Sequence, residues 1–371
     1  MTLGEVNREW REVTMGADVS PVAPRISVVI PARDEVRHVL VSLAAVHEAL
    51  DRVGGGEILV IDGMSTDGTR ELVEGFAREH PGTRLLDNPA RTTPAAFNIG
   101  ICSARGALIA IVSAHSIVGG NFFESGLTTL DSVAADIVGG PISAEPGAPG
   151  VLPWLLSMVV RHPFGVGNSQ FRISSSPSYV DAVPFAVFPV GVFHKLGLFN
   201  ESLPRNQDTE FFGRVRTARL RVFLDPGMSS VYIARSTIAG LLRQGFLNAY
   251  WNVLVWCLNP AAFRWRHLIP GLFAIVLITT IVAGVWLPML HSILWLCLAG
   301  YLSVAVVASI HVAAQARRVS GLILPPFFFL YHFSYGCGTI VGLRHVLEVA
   351  LRGRAAWRPP PWPPRPQGQT E

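Results

Sequence analysis

The sequence predicts an α/β domain, a mostly parallel sheet with helices on both faces, followed by an α-helical membrane domain. Two observations predict it. Over residues 26–112, short apolar, β-branched runs alternate with segments of helical periodicity, as in a parallel sheet buried on both sides. Behind them lie three long apolar stretches, about 268–290, 293–314 and 322–343. Each could cross a hydrocarbon core of ~30 Å as a helix rising ~1.5 Å per residue. Composition agrees, with 50% hydrophobic and 15% charged residues, and the bias is local: 25–235 is an ordinary mixture, whereas 268–343 lacks acidic groups.

The elements follow in order. Residues 26–31 form a strand ended by Pro31, and Val36, Val39, Leu40, Leu43, Val46 and Leu50 repeat at helical spacing. Residues 58–61 are a second buried strand, and 69–80 place Leu72, Val73, Phe76 and Ala77 on one helix face. Strands at 84–86 and 108–112 flank a helix over 94–104. Sheets of this kind bind ligands beyond the carboxyl ends of their strands. The residues there are unusually polar: Ala32-Arg33-Asp34-Glu35, then Asp62-Gly63-Met64-Ser65-Thr66-Asp67-Gly68-Thr69, then Ser113-Ala114-His115. Any one of them reads equally as a turn or cap, Asp67 above all. Their joint occurrence at strand ends points to a binding site.

Val-Val-Ile-Pro-Ala-Arg-Asp-Glu at 28–35, the 62–69 octapeptide, and Asn88 with Arg91, Asn98 and Gly100 resemble family 2 glycosyltransferases of the GT-A nucleotide-diphospho-sugar transferase fold. The resemblance runs from about residue 26 to 251, and with Ala114-His115-Ser116 it is most similar to the succinoglycan-biosynthesis branch. It implies that Pro31, Arg33, Glu35 and Asp62 hold the base and ribose of a nucleoside-diphosphate sugar. A carboxylate such as Asp62 can accept from a base N–H, and a cation such as Arg91 offsets the diphosphate charge. Asn98 would add a neutral donor, or else bond its own helix backbone. Where the family places Asp-x-Asp, this chain has Ser113-Ala114-His115. Ser113 and His115 then join the donor site, with His115 as ligand of a divalent cation, Mn²⁺ or Mg²⁺, through a neutral imidazole.

Inverting glycosyl transfer needs a carboxylate that takes the acceptor hydroxyl proton as it attacks the anomeric carbon. Asp208 matches the family's base, Gln207 replaces the acid that usually precedes it, and the segment opens a helix with Phe211, Phe212 and Val215 inward. Acids in a first turn also favour the helix dipole, and the two roles are compatible. Arg243-Gln244-Gly245-Phe246 resembles a branch segment in which Arg243 either pairs with diphosphate oxygens or snorkels at a membrane surface. The full Gln-x-x-Arg-Trp pattern of processive relatives is absent, which favours one sugar per encounter. Asp181 and the apolar run 151–160 stand near the acceptor side without an assigned role.

The expected organisation is a disordered N-terminus (1–24), the GT-A domain (25–238), an interfacial amphipathic segment (239–266), two or three transmembrane helices (267–345) and a Pro/Arg-rich tail (346–371). Residues 1–24 hold no apolar core with a cleavage site, so the first domain is expected in the cytoplasm. Arg264, Arg266 and His267 precede the first stretch, the connection at 288–292 carries no Lys or Arg, and Arg317 and Arg318 mark a return. A third crossing would export Arg344, Arg352, Arg354, Arg358 and Arg365. The 324–326 Leu-Pro-Pro break with Gly336 and Gly338 therefore suggests a re-entrant or interfacial hairpin. The run 246–258 either lies in the headgroup plane or adds a crossing. Cys102, Cys257, Cys297 and Cys337 have no metal or disulfide spacing.

These readings predict a multi-pass cell-membrane enzyme with a polyprenyl or other lipid-linked acceptor and no nucleic-acid partner. The competing reading is a silent sugar-nucleotide-binding subunit of an assembly complex, suggested by Ser113 and Gln207. A transporter is disfavoured because the apolar stretches lack paired acids.

Overall fold

The computed structural model describes residues 24–352 apart from Asn168 and Ser175; the N-terminal segment before Pro24 and the tail after Arg352 lie outside the described residues. In chain order the first half comprises β1 (Ile26–Ala32), α1 (Val39–Asp51), β2 (Glu57–Asp62), α2 (Thr69–Glu79), β3 (Thr83–Asp87), α3 (Thr93–Ser103), β4 (Leu108–Ile111), β5 (Ser116–Val118), α4 (Phe122–Ser132), β6 (Ile137–Gly139) and β7 (Ile142–Glu145). Next come α5 (Val151–Arg161), α6 (Pro163–Val166), α7 (Gln170–Ile173), β8 (Ser178–Val180), β9 (Ala186–Pro189), α8 (Val190–Leu196), α9 (Gln207–Thr217), β10 (Val222–Leu224) and β11 (Ser230–Ile233). The chain continues through α10 (Ile238–Leu258), α11 (Ile269–Gly284), α12 (Leu290–Ala316) and α13 (Leu324–Arg352).

The large sheet has the order β3-β2-β1-β4-β9-β6-β10-β8, with β9 antiparallel between β4 and β6 and β8 antiparallel at the edge. The small sheet is β5-β11-β7. Alternation along each strand splits the core. Val29, Leu59, Ile61 and Ile109 meet Phe97 and Ile101 of α3 and the aromatic side chains Phe193 and Phe211. Val28, Ile30, Ile58 and Val60 meet Val39, Leu43 and Val46 of α1 and Phe122 and Phe123 of α4. Because both faces are buried, the strands read as unbroken apolar runs. Gly100 lets α3 lie close to the sheet, since a Cβ there would stand 2.4 Å from Val29 Cγ1. The parallel register, with Pro31 opposite Ile61 and Ala32 opposite Asp62, brings the β1 and β2 exit loops side by side.

The C-terminal helices depart from expectation. The third apolar stretch is one continuous helix, α13, rather than a hairpin, and it runs to Arg352, past the expected boundary at 345. Pro325 and Pro326 fall in its first turn, where a missing N–H costs nothing. Gly336 and Gly338 do not break it; they form its seam with the neighbouring helices. A Cβ at Gly338 would lie 2.2 Å from the Phe246 carbonyl oxygen, and one at Gly336 2.3 Å from that of Pro270. Nor is 246–258 a free surface segment: α10 buries Tyr250, Trp251, Leu254 and Val255 beside Leu203.

Two helical segments, Trp265–Gly284 and Leu290–Ala316, are long and apolar enough to cross a membrane, and only 28% and 17% of their most apolar windows is buried. A core helix of a soluble domain would be covered. Instead Leu272, Ile281, Trp286, Trp295, Leu296 and Val307 are all exposed, apolar surface of the kind that meets lipid or another protein. The apolar run at 151–160 is a docking helix: Trp154, Leu155 and Leu156 of α5 pack with Ala308, Val312 and Phe328.

Candidate active site

The loops leaving β1 and β2 are laced together. Asp62, buried at the end of β2, accepts from the Ser65 amide at 3.2 Å and its hydroxyl at 2.5 Å, and faces Arg70 Nη1 at 3.5 Å. Asp34 N donates to Ser65 Oγ at 3.0 Å, Thr66 N to Asp34 Oδ1 at 3.1 Å, and Glu35 N to Thr69 Oγ1 at 2.7 Å. Asp67 is the turn residue anticipated: it accepts from Val36 N, Thr69 N and Thr69 Oγ1. Partial burial pushes its carboxyl up, but the Thr69 hydroxyl and the Val36 and Thr69 amides outweigh that and hold it below the usual carboxylate range. Gly68 caps α2 with φ +98°, a conformation open to glycine. Asp34, Met64 and Arg91 adopt left-handed φ of 54°, 60° and 57° without being glycine, and such strain gathers where loops are shaped for a ligand.

Arg33 Nη1 donates to the Arg91 carbonyl at 3.2 Å, so two of the expected donor-site cations share one rim. Pro31 lies beside them in β1. Across the cradle, His115 Nδ1 lies 2.9 Å from Glu35 Oε1, and Ser113 Oγ is 3.2 Å from both ring nitrogens. Pro31, Arg33, Glu35, Asp62, Arg91, Ser113 and His115 thus belong to one strand-end surface. Among the described residues no three His, Cys, Asp or Glu side chains converge. The donor set for a cation is this one imidazole–carboxylate pair. It fits a metal only when a ligand's own oxygens complete the shell, with Glu35 fixing the ring orientation.

Two expected donor residues are placed elsewhere. Asn98 is a correction: its amide donates to the Phe199 carbonyl (2.9 Å) and to Glu201 Oε1 (2.8 Å), and its Oδ1 accepts from Phe199 N (2.9 Å). Both ends are engaged in tying α3 to the 199–201 loop. Asn98→Ala is expected to lower unfolding free energy by about 1–3 kcal/mol, the cost of orphaned buried partners, while the donor KM stays unchanged; urea denaturation and a donor titration check this. Arg243 stands exposed on α10 and is not joined to the cradle by any hydrogen bond or ion pair among the described residues.

Asp208 occupies the first turn of α9, after Asn206 at φ 57°. Thr209 N donates to its Oδ1 at 2.8 Å. The residue is exposed, yet surrounding protein partly desolvates its carboxylate, and this raises its pKa above the ordinary range despite the Thr209 bonds and the Arg205 charge. Glu210 differs: it is buried and held by Arg214, a structural pair. Asp181 is also structural, pairing with Arg264 at 2.5 Å and Arg216 at 3.9 Å.

Sequence reading missed the cations around Asp208. Burial holds both Arg172 and Arg205 below the usual guanidinium range, and both feel Asp208, Tyr232 and Tyr331 electrostatically. Tyr232 also lies against His115, ring centroids 5.8 Å apart, which links Asp208's surroundings to the cradle. Arg205 adjoins the Asp208 motif and could have been singled out; Arg172 and Tyr331 carry no motif.

The strand order and the polar cradle at the strand ends are those of a GT-A nucleotide-diphospho-sugar transferase fold, followed here by a helical region. Residues 27–197 match the family model described as Glycosyl transferase family 2. The chain is 25% identical to the succinoglycan biosynthesis protein ExoA of Rhizobium meliloti over 59% of its own length and 66% of that protein, just under two thirds of the relative. It is 22% identical to a Methanococcus voltae dolichyl N-acetyl-α-D-glucosaminyl phosphate 3-β-D-2,3-diacetamido-2,3-dideoxy-β-D-glucuronosyltransferase, over 86% of this chain and 97% of that one. Among solved structures, a Pyrobaculum calidifontis mannosyltransferase in complex with GDP-Man and Mn²⁺ matches with TM-score 0.49 and 16% identity, over 90% of this chain and 99% of that one.

Proposed function

We propose that the protein is a membrane-anchored inverting glycosyltransferase that moves a sugar from a nucleoside-diphosphate donor to a polyprenyl- or otherwise lipid-linked acceptor, in polysaccharide or glycolipid biosynthesis. The observation that carries this reading is Asp208, a partly desolvated carboxylate without an ion pair among the described residues, which acts on the same Arg172 as Tyr232, whose ring lies against His115 of the strand-end cradle. Asp208 takes the acceptor hydroxyl proton as that oxygen bonds to the anomeric carbon, and the bond from carbon to diphosphate breaks. Arg33 and Arg91 offset the charge of the leaving group, and Asp62 keeps acceptor capacity for a base N–H. Mn²⁺ or Mg²⁺ held by His115 would neutralise part of the same charge. Accordingly, His115→Ala should raise the metal concentration needed for half-maximal activity at least several-fold, checked by Mn²⁺ titration of chelated enzyme.

The α11–α12 hairpin supports anchoring. Its two ends carry Arg264 with Arg266 and Arg317 with Arg318, and its tip carries no Lys or Arg, so both ends fit the cytoplasmic side. α13 packs on α10, and Arg344 and Arg352 lie toward its C-terminal end. A lipid-linked acceptor accords with the name of the Methanococcus relative, and a tethered domain meets such an acceptor at high effective concentration. The test is transfer of labelled sugar from a panel of nucleotide sugars to lipid extracts by purified protein. No turnover with any donor, and no loss on Asp208→Asn, would mark a silent binding subunit instead.

A further inference from the structure

The positive charges beside Asp208 exceed what the donor cradle accounts for. Among the described residues Arg172 Nη1 is buried with no hydrogen-bond partner, and its guanidinium leans over the Phe171 ring at 5.4 Å. Arg205 is gripped from behind, its Nε donating to Asn248 Oδ1 at 2.8 Å, which leaves the open end of the fork without a hydrogen bond among the described residues. Arg235, exposed at the rim, adds a third like charge felt by Arg205. Against these three stands one carboxylate, Asp208, which forms no ion pair with any of them among the described residues. Burying a cation without a counter-ion is costly, and that cost is recovered when an anion enters. Two guanidinium forks with a net surplus of about two charges suit a phosphoryl group.

We propose that Arg172 and Arg205, with Arg235 at the rim, bind the phosphoryl group of the acceptor, the phosphate or diphosphate by which it is tied to its lipid. This rests on the glycosyltransferase reading above and names the chemistry of its second substrate. Position decides between acceptor and donor. The donor cradle is built by the ends of β1, β2 and β4, whereas Arg205 is held by Asn248 of α10, and Arg172 and Arg205 both feel Tyr331 of α13 and Asp208 electrostatically. Asn206 bonds Asn248 O and Asn252 Oδ1, and Asn252 bonds Tyr335 OH, each at 2.8 Å, so the loop bearing Arg205 is moored to the helices from which the apolar hairpin springs. A phosphate seated here leaves its lipid chain beside that hairpin.

The experiment uses full-length protein in detergent, with farnesyl phosphate, farnesol, UDP and GDP as probes followed by fluorescence or calorimetric titration. Farnesyl phosphate is expected to bind at least tenfold more tightly than farnesol. Arg172→Met should lose at least tenfold of that affinity, keep its affinity for the nucleoside diphosphate, and melt no lower than the wild type, because it removes an unpaired buried charge. Arg205→Gln should weaken farnesyl phosphate in the same way, which guards against a folding artefact at 172. Equal binding of farnesol, unchanged affinity in both variants, or an equal loss of UDP or GDP affinity would each overturn the assignment, the last giving the cations to the donor. If the wild type binds neither nucleoside diphosphate and Asp62→Ala changes nothing, the glycosyltransferase reading fails separately.

Discussion

Asp208→Asn is expected to lower sugar transfer by roughly 10²–10⁴-fold, the usual contribution of a positioned general base, without lowering stability at neutral pH. The second half follows from the direction of the pKa shift. Desolvation raises the carboxyl above its unfolded value of about 3.9, so the folded protein holds this proton to higher pH than the unfolded chain does. Stability contributed by this group is therefore lost as pH rises from the unfolded to the folded value, and the ionised form is a standing cost above that window. Asparagine removes the cost, so the variant should melt at the same temperature as the wild type near pH 3 and no lower at pH 7.5. Thermal melts at the two pH values, beside initial-rate measurements, check both halves. The acid limb of kcat/KM should also lie above the ordinary carboxylate range. It should move to still higher pH in Arg205→Gln, since Arg205 favours the ionised form. A wild-type acid limb at or below the ordinary range would remove Asp208 as the base.

Gly338→Val should be the most disruptive single change in the C-terminal region. The new Cβ would meet the Phe246 carbonyl oxygen at 2.2 Å, an atom of the α10 backbone that no rotamer change can clear. Overpacking of ordinary cores costs typically ~1–3 kcal/mol, and a backbone clash belongs at or above the top of that range. We expect α13 to leave its seam, taking Tyr331 from beside Arg172 and Arg205, with loss of transfer activity and new proteolytic cleavage between α12 and α13. Gly300→Val is the control: its Cβ would meet nothing within 4 Å, so it should express, resist protease and turn over like the wild type. Equal behaviour of the two variants would mean that α13 does not dock as described.

Most of the α/β half was legible because each signal is local. Apolar runs of four to seven residues separated by helical spacing can bury both sheet faces in only a few ways, and polar residues clustered after the strands have few other reasons to be there. Glu35, Asp62 and His115 were singled out by that logic, and Asp208 by its motif. Asn98 was misplaced because its partners, Phe199 and Glu201, lie about a hundred residues away, and an asparagine in a helix carries no mark of which way its amide is spent. The glycines of α13 were misread for a similar reason: in sequence a glycine in an apolar helix weakens it, whereas in the fold it admits a neighbour's backbone.

The sequence by itself determined the two-part plan, the strand-end cradle, the carboxylate at 208 and the apolar hairpin, since periodicity, composition and short motifs are properties of neighbouring residues. Only the tertiary structure decided that α13 lies on α10 instead of breaking, that Asn98 is a strut, and that Arg172, Arg205 and Tyr331 gather beside Asp208. Close packing and the need to satisfy or compensate buried polar groups act between residues far apart in the chain, so they become visible only when the chain has folded.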